Sequence, residues 1–459
     1  MKRYFIHTFG CQMNVNDTQR MGEVLARLDY QRTPVAENAD LIILNTCSIR
    51  EKAEDKLFSA LGRYRQVKTQ RGTFIGVGGC LAQQEKDKIL KKVPYVDFVF
   101  GPDNINKLPE ILHKVTVGRA RVVETAWVDS EEYVFPRADP LSSAGRVTEF
   151  VTVMKGCDNV CAFCVVPHTR GREVSRAFPE VLIEVASLAR VGVREVTLIG
   201  QNVNSYQGGL GFDQLLLRVA EVPGIERVRF TTSHPHDLSD ALIEAFRIQP
   251  KIASHFQLPV QSGSDSVLKR MRRDYTVKEY LERLAKLRAA RPDIGITTDI
   301  IVGFPGETEE DFEQTLQLTQ AVRYDNQYSF VYSSRPKTSA ALREKEWGEV
   351  PHEVKVERLE RLQKLQKIIA AEINALHRDT TVEVLVEGCS KNDPTRRSGR
   401  NPQNKVVNFE GDAPIGAIVE VQVKETSVGA LYGIQGRTVL APTIQLAEPQ
   451  QGPELCDVA

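Results

Sequence analysis

Apolar runs that end on a cysteine occur at three places in the first hundred residues. DLIILNTC, residues 40–47, carries Leu41, Ile42, Ile43 and Leu44 without polar alternation, the pattern of a strand covered on both faces, and stops at Cys47. YFIHTFGC stops at Cys11 and TFIGVGGC at Cys80. Helical spacing follows each run. After Cys11, Met21, Val24, Leu25 and Leu28 line one stripe behind a start signal at Asp17; after Cys47, Leu57, Leu61 and Tyr64 do the same. LAQQEKDKILKKV is helical after Cys80, and VDFVFG followed by NINKLPEILHKV adds a strand and a helix. This alternation over residues 1–118 predicts a doubly wound α/β domain with a parallel sheet.

In such a sheet the carboxyl ends of the strands point one way, so Cys11, Cys47 and Cys80 would meet at one edge, each before a helix N-terminus that favours thiolates. Gly10, Gly78 and Gly79 would let the backbone approach a bulky group. Three ligands with an open fourth position would suit a metal cluster; three buried cysteines acting as small hydrophobes are the plainer alternative.

The pattern then changes. The strand EFVTVM leads into Cys157, Cys161 and Cys164, spaced C-x3-C-x2-C. Strand-like runs follow at EVTLIGQNV, RVRFTTSHP, SHFQLPVQSG, GITTDIIVGFPGE and NQYSFVYSSRP, separated by amphipathic helices such as PEVLIEVASLARVG and EEDFEQTLQLTQAV. About six βα units make an incomplete version of the eight-unit barrel, whose active sites lie at the carboxyl ends of its strands. Those ends here carry Gln201, Asn202, Ser233, His234, Gln261, Ser262, the loop Gly303–Glu307 and residues 333–335. His234 and His255 read as loop or core histidines, and the glycine-rich loop at 303–306 as a seat for an adenosyl group or as a tight turn.

Three thiolates in so short a loop can each hold one iron of a four-iron cubane, leaving the fourth iron to chelate S-adenosylmethionine (SAM), whose one-electron cleavage yields a 5′-deoxyadenosyl radical. The competing reading is zinc on Cys157, Cys161, Cys164 and His168 in an RNA-binding protein without enzymatic activity.

Beyond a charged helix at about residues 352–377, with a leucine and isoleucine stripe, period-two alternation in TVEVLVEGC, KVVNFEG and AIVEVQVKET predicts a small antiparallel β-barrel. Between its first strands Lys391, Arg396, Arg397, Arg400 and Lys405 face a single Asp393, which makes either a solvated turn or a seat for RNA phosphates. Cys389 and Cys456 lack a spacing partner, and the tail after about Leu446 has a disordered composition.

Composition narrows this only slightly. With 459 residues, 41% apolar and 26% charged, the chain is an ordinary globular protein of several domains. Lys plus Arg and Asp plus Glu both number 60, so a nucleic-acid partner would be met by a local patch. No long apolar segment opens the chain and no stretch approaches a membrane span, so it reads as cytosolic, where eight cysteines serve as ligands or free thiols.

The cysteine loop resembles the radical SAM superfamily, and together with Cys11, Cys47 and Cys80 it is similar to the methylthiotransferases. TFGCQMN, LNTCSIREKAEDKLF, VVPHTRGREVSR, TSHPHDLSD, LPVQSGSDSVLKRMRRDYT and VVNFEG carry that likeness over nearly the whole chain. The resemblance implies a methylthiotransferase domain at 1–118, a linker at 119–142, a partial (βα)6 TIM-like radical SAM barrel at 143–376, an OB-like all-β TRAM domain that binds RNA at 377–442, and a tail at 443–459. It implies two [4Fe-4S] clusters. The one on Cys157, Cys161 and Cys164 binds SAM, and the auxiliary one on Cys11, Cys47 and Cys80 delivers sulfur. The implied reaction places a methylthio group on C2 of N6-dimethylallyladenosine at position 37 of the tRNA anticodon loop. Relatives act on threonylcarbamoyladenosine in tRNA or on an aspartate of a ribosomal protein. A flavodoxin- or ferredoxin-like electron donor and a sulfur donor would be partners, and nothing demands more than a monomer. Two departures stand out: His168 where a tyrosine is common, and Lys337 where a glycine is usual.

Overall fold

The apolar runs of the first hundred residues form adjacent parallel strands. The computed structural model describes residues 1–48, 51–442 and 456–457. β1 (Lys2–Phe9), β2 (Tyr30–Arg32), β3 (Leu41–Thr46), β4 (Phe74–Gly79), β5 (Phe98–Phe100) and β6 (Val122–Glu124) lie in the order 2-1-3-4-5-6, every pairing parallel. This is a doubly wound sheet, with its change of strand order between β1 and β3. Leu41, Ile42, Ile43 and Leu44 are wholly buried because helices cover both faces. β6 falls in the stretch read as linker: Val122, Val123 and Glu124 pair with Phe98, Val99 and Phe100, a strand too short to show its period in sequence.

Asp17 does not start a helix. The helix runs Gln12–Ala26 with Cys11 at its N-cap, and Asp17 is buried inside it. Gly78 also differs from expectation. A side chain there would strike the ring of Phe100, so its smallness serves the packing of β4 on β5.

Six further parallel strands follow: β7 (Thr148–Thr152), β10 (Glu195–Ile199), β11 (Arg227–Phe230), β12 (His255–Gln257), β13 (Gly295–Val302) and β14 (Asn326–Val331). They form two three-stranded sheets, β11-β10-β7 and β12-β13-β14, joined where Val228 bridges Ile252 just before β12. The result is an open arc of six βα units around one large apolar core. A small hairpin, β8 (Met154–Lys155) with β9 (Val174–Ser175), brackets the loop that carries Cys157, Cys161 and Cys164.

The helix His352–Ala375 returns along this arc, burying Leu362 and Ile369 and also the polar side chains of Arg358 and Gln366. It leads into a closed barrel of β15 (Thr381–Cys389), β16 (Arg397–Arg400), β17 (Val406–Glu410), β19 (Ala430–Leu440) and β18 (Ile418–Thr426), in that order. All pairings are antiparallel except β17 with β19. Of the tail expected to be disordered, only 456–457 is described, as a short parallel pairing to β1; residues 446–455 and 458–459 lie outside the described residues. Among the described residues, no helix is long and apolar enough to cross a membrane.

Candidate active site: two cysteine trios at facing sheet edges

Register brings the first trio together. Thr46 of β3 lies opposite Gly79 of β4, so Cys47 and Cys80 leave neighbouring strands at one level, and Cys11 leaves β1 on the other side of β3. Gly10 and Gly79 adopt φ of 128° and 92°, conformations open to glycine. A side chain at Gly10 would overlap Cys47, and one at Gly79 would meet Asn45 and Thr46. Asn45 secures the edge. Its Nδ2 donates to the Asn14 carbonyl at 2.8 Å and to Thr18 Oγ1 at 3.0 Å, while its Oδ1 accepts from Asn14 Nδ2 at 3.1 Å. Asn14 Oδ1 in turn accepts from Cys11 Sγ at 3.4 Å. A hydrogen bond with Cys47 pulls Cys11 below the ordinary thiol range, and the charge of Arg170 adds to it, whereas burial pushes Cys80 up. Beside them the buried Ser48 hydroxyl has no partner among the described residues.

The second trio sits in the loop between β8 and β9. Gly156, at φ 72°, has no room for a side chain because the Arg172 and Gly171 carbonyls occupy the space. Its N–H donates to Gln201 Oε1 at 2.5 Å, and the Cys157 N–H donates to the Gly171 carbonyl at 3.2 Å. Phe304, from the glycine-rich loop, is fully buried with Ala162, Val267, Met271, Tyr332 and Ala340 and supports the cysteine loop from below. Arg273 donates from Nη1 to Cys161 Sγ at 3.4 Å and from Nη2 to the Pro259 carbonyl at 2.8 Å. Burial raises Cys157 to about 11 and Cys164 to about 12, so both are neutral thiols at neutral pH.

The two edges face each other. Asn16 Nδ2 donates to Thr152 Oγ1 at 2.9 Å, Thr231 Oγ1 to Gln12 Oε1 at 3.1 Å, and Lys155 pairs with Asp103 at 2.6 Å. Thr152 ends β7 and Thr231 follows β11, so the carboxyl ends of both sheets meet. Arg170, in the turn after Cys164, reaches across: its Nη2 lies 2.6 Å from Asp17 Oδ2 and its Nε donates to Cys80 Sγ at 3.3 Å.

Among the described residues, no three His, Cys, Asp or Glu side chains are arranged around a point where a single ion would sit. This holds for Cys157, Cys161 and Cys164 with His168 and for Cys11, Cys47 and Cys80 alike. A four-iron cubane is a wider object, held by thiolates that stand apart.

His234 and His255 are buried and neutral. Burial lowers His234 to about 2, and its ring accepts from the His236 N–H; burial lowers His255 to about 3, and its Nε2 meets Thr297 Oγ1 at 3.2 Å. Sequence patterning marks Asp17 only as a helix start and gives no role to Arg170, Arg273 or Phe304. Arg170 and Arg273 stand in the quoted stretches VVPHTRGREVSR and LKRMRRDYT, but nothing local tells an arginine aimed at a sulfur from one in solvent.

The three regions match family models along the chain. Residues 3–101 match "Uncharacterized protein family UPF0004", residues 151–319 the radical SAM superfamily, and residues 378–434 the TRAM domain. A Myxococcus xanthus protein named tRNA-2-methylthio-N(6)-dimethylallyladenosine synthase is 73% identical, across 97% of this chain and 96% of that one. Proteins of the same name from Anaeromyxobacter sp. (strain K) and Delftia acidovorans are 62% and 48% identical, each across 94% of this chain and 94% and 98% of theirs. The chain belongs to this synthase family. Its central barrel therefore brings a [4Fe-4S] cluster and SAM as cofactors. Among solved structures, the radical SAM methyltransferase TsrM from Kitasatospora setae superposes with a TM-score of 0.55 at 14% identity, covering 74% of each chain. The cobalamin-dependent radical enzyme OxsB gives 0.51 at 14% identity, covering 79% of this chain and 56% of that one. Both likenesses are of fold.

Proposed function

We propose that this chain transfers a methylthio group to C2 of N6-dimethylallyladenosine at position 37 of the tRNA anticodon loop. In this reading Cys157, Cys161 and Cys164 hold the cluster that binds SAM, and Cys11, Cys47 and Cys80 hold a second, auxiliary [4Fe-4S] cluster. One observation carries it: Arg170, in the turn that follows Cys164, touches Cys80, so the loop of one cysteine trio reaches the other trio. The names of the relatives supply the substrate.

The residues fit both groups. The first trio stands at the ends of β1 and its neighbours, beside a buried cation, two glycines that leave no room for side chains, and a Ser48 hydroxyl without a partner among the described residues. The second stands in a loop fixed by Gln201 and backed by Arg273. When bound, the groups supply one-electron cleavage of SAM, sulfur, and a methyl group from another SAM. The chain's own part is to hold Cys157 and Cys161 rigidly, to keep the Cys11 edge closed through Asn14 and Asn45, and to exclude water with the paired domains. The TRAM domain would grip tRNA away from the target base. A flavodoxin- or ferredoxin-like protein would supply electrons, a separate donor would replenish sulfur, and one copy of the chain would suffice.

The test is anaerobic reconstitution with iron, sulfide, SAM and a reductant, using tRNA that carries dimethylallyladenosine, followed by nucleoside mass spectrometry. The 2-methylthio nucleoside is the expected product. Its absence, with methylthiolation of threonylcarbamoyladenosine tRNA or of a ribosomal protein instead, would overturn the substrate assignment.

A further inference from the structure

Arg170 is a cation of the barrel domain that reaches a cysteine sulfur at the edge of the other sheet. Its backbone is fixed: its N–H donates to the Val166 carbonyl at 2.7 Å, and the next residue, Gly171, accepts from the Cys157 N–H. Its side chain is buried, with Nη2 on Asp17 and Nε on Cys80 Sγ. A buried guanidinium needs compensating negative charge. Asp17 supplies one unit at Nη2, and Nε donates to the Cys80 sulfur. The guanidinium therefore stands between a carboxylate and a cysteine sulfur.

Hydrogen bonds to ligating sulfurs, and positive charge nearby, stabilise the reduced form of an iron–sulfur cluster and raise its potential. We propose that Arg170 is a positioning residue that sets the reduction potential of the auxiliary cluster by donating to Cys80 Sγ, and that it ties this setting to the loop carrying Cys157, Cys161 and Cys164. The inference rests on the reading of Cys11, Cys47 and Cys80 as ligands. Arg170 acts through Cys80; it is not assigned contact with the base or with SAM.

The test uses the full-length chain with Cys157, Cys161 and Cys164 changed to Ala, so that a single cluster remains. Iron and sulfide are counted first, and the midpoint potential is then measured by redox titration with EPR detection. Arg170→Gln is expected to keep the iron and to move the midpoint to a more negative potential; Arg170→Lys, which keeps the charge but loses the Nε bond, is expected to fall between the two. Because Gln leaves Asp17 as a buried lone carboxylate, Asp17→Asn/Arg170→Gln is compared with Asp17→Asn alone, and the same negative shift is expected. An unchanged midpoint with full iron would overturn the role of Arg170. Loss of iron in both Gln variants would overturn it in favour of a purely structural ion pair. A background protein that holds no iron would instead overturn the auxiliary-cluster reading itself.

Discussion

Lys405 Nζ lies 2.6 Å from Asp325 Oδ1, an ion pair that docks the C-terminal barrel on the six-stranded arc, and it also meets Asn374 Oδ1 at 3.0 Å. Asp325 lies between the helix Glu309–Val322 and β14, at the amino end of that strand, away from the cysteine loop. The same floor holds Arg227 and Arg229 paired with Glu195, and these two arginines donate to the carbonyls of Arg400, Asn401 and Pro402. The loop read as a seat for RNA phosphates is therefore divided. Lys405 and the 400–402 backbone hold the domains together, while Lys391 is exposed.

Removing one end of a buried pair leaves the other charge uncompensated. Lys405→Met should lower the unfolding free energy by about 2–3 kcal/mol, less than for a fully buried pair because both ends keep some water. Lys405→Met/Asp325→Leu should recover part of the loss. Denaturant unfolding checks both, and a neutral single variant would contradict the docking role.

Lys391→Ala should leave stability within about 0.5 kcal/mol and weaken tRNA binding evenly across sequences. The slope of log affinity against log salt should become shallower by roughly 0.7–0.9, one phosphate contact. An unchanged slope would mean that this end of the loop does not meet the RNA backbone.

The division of that loop marks the limit of what the sequence could show. Cys47 and Cys80 were legible because an unbroken apolar run specifies a buried parallel strand, and topology then fixes where it ends. The six βα units were legible for the same reason, and the C-terminal strands because period-two alternation marks strands with one face buried. Asp17 was misread because an acidic residue ahead of an apolar stripe is the usual start signal, while its partner Arg170 is 153 residues away. β6, a three-residue strand, is too short to show a period. Whether Lys405 faces solvent or Asp325 depends on how two domains dock, and local composition carries no trace of that.

His255 is held neutral at the same interface, where burial and the charges of Arg229, Arg400 and Lys405 lower it to about 3. The unfolded chain binds a proton near pH 6.5 that the folded chain refuses, so stability is full above that pH and falls as pH drops from about 6.5 toward 3. His255→Gln, which keeps a donor for Thr297 and does not titrate, should lose stability less steeply, by up to about 1.4 kcal/mol per pH unit well below 6.5. Parallel acid limbs for the two proteins would contradict a neutral His255.

Lys337 adopts φ 70°, which gives a physical reason why glycine is usual there in the resembling family. A side chain in this left-handed region costs about 1–2 kcal/mol, and glycine returns part of that gain through its unfolded-state entropy. Lys337→Gly should therefore stabilise the chain by about 0.5–1 kcal/mol. A loss of stability on thermal or denaturant unfolding would show that the lysine side chain makes a compensating contact.

The division of labour between the two trios is tested most directly by scoring two products in parallel. Wild type, Cys11→Ala/Cys47→Ala/Cys80→Ala and Cys157→Ala/Cys161→Ala/Cys164→Ala are each given SAM, reductant and tRNA, and 5′-deoxyadenosine and the methylthio nucleoside are quantified by mass spectrometry. The first variant should still release 5′-deoxyadenosine and form no methylthio nucleoside. The second should form neither while keeping about half of the iron, one cluster of two. Methylthio nucleoside formed without Cys11, Cys47 and Cys80 would contradict the account.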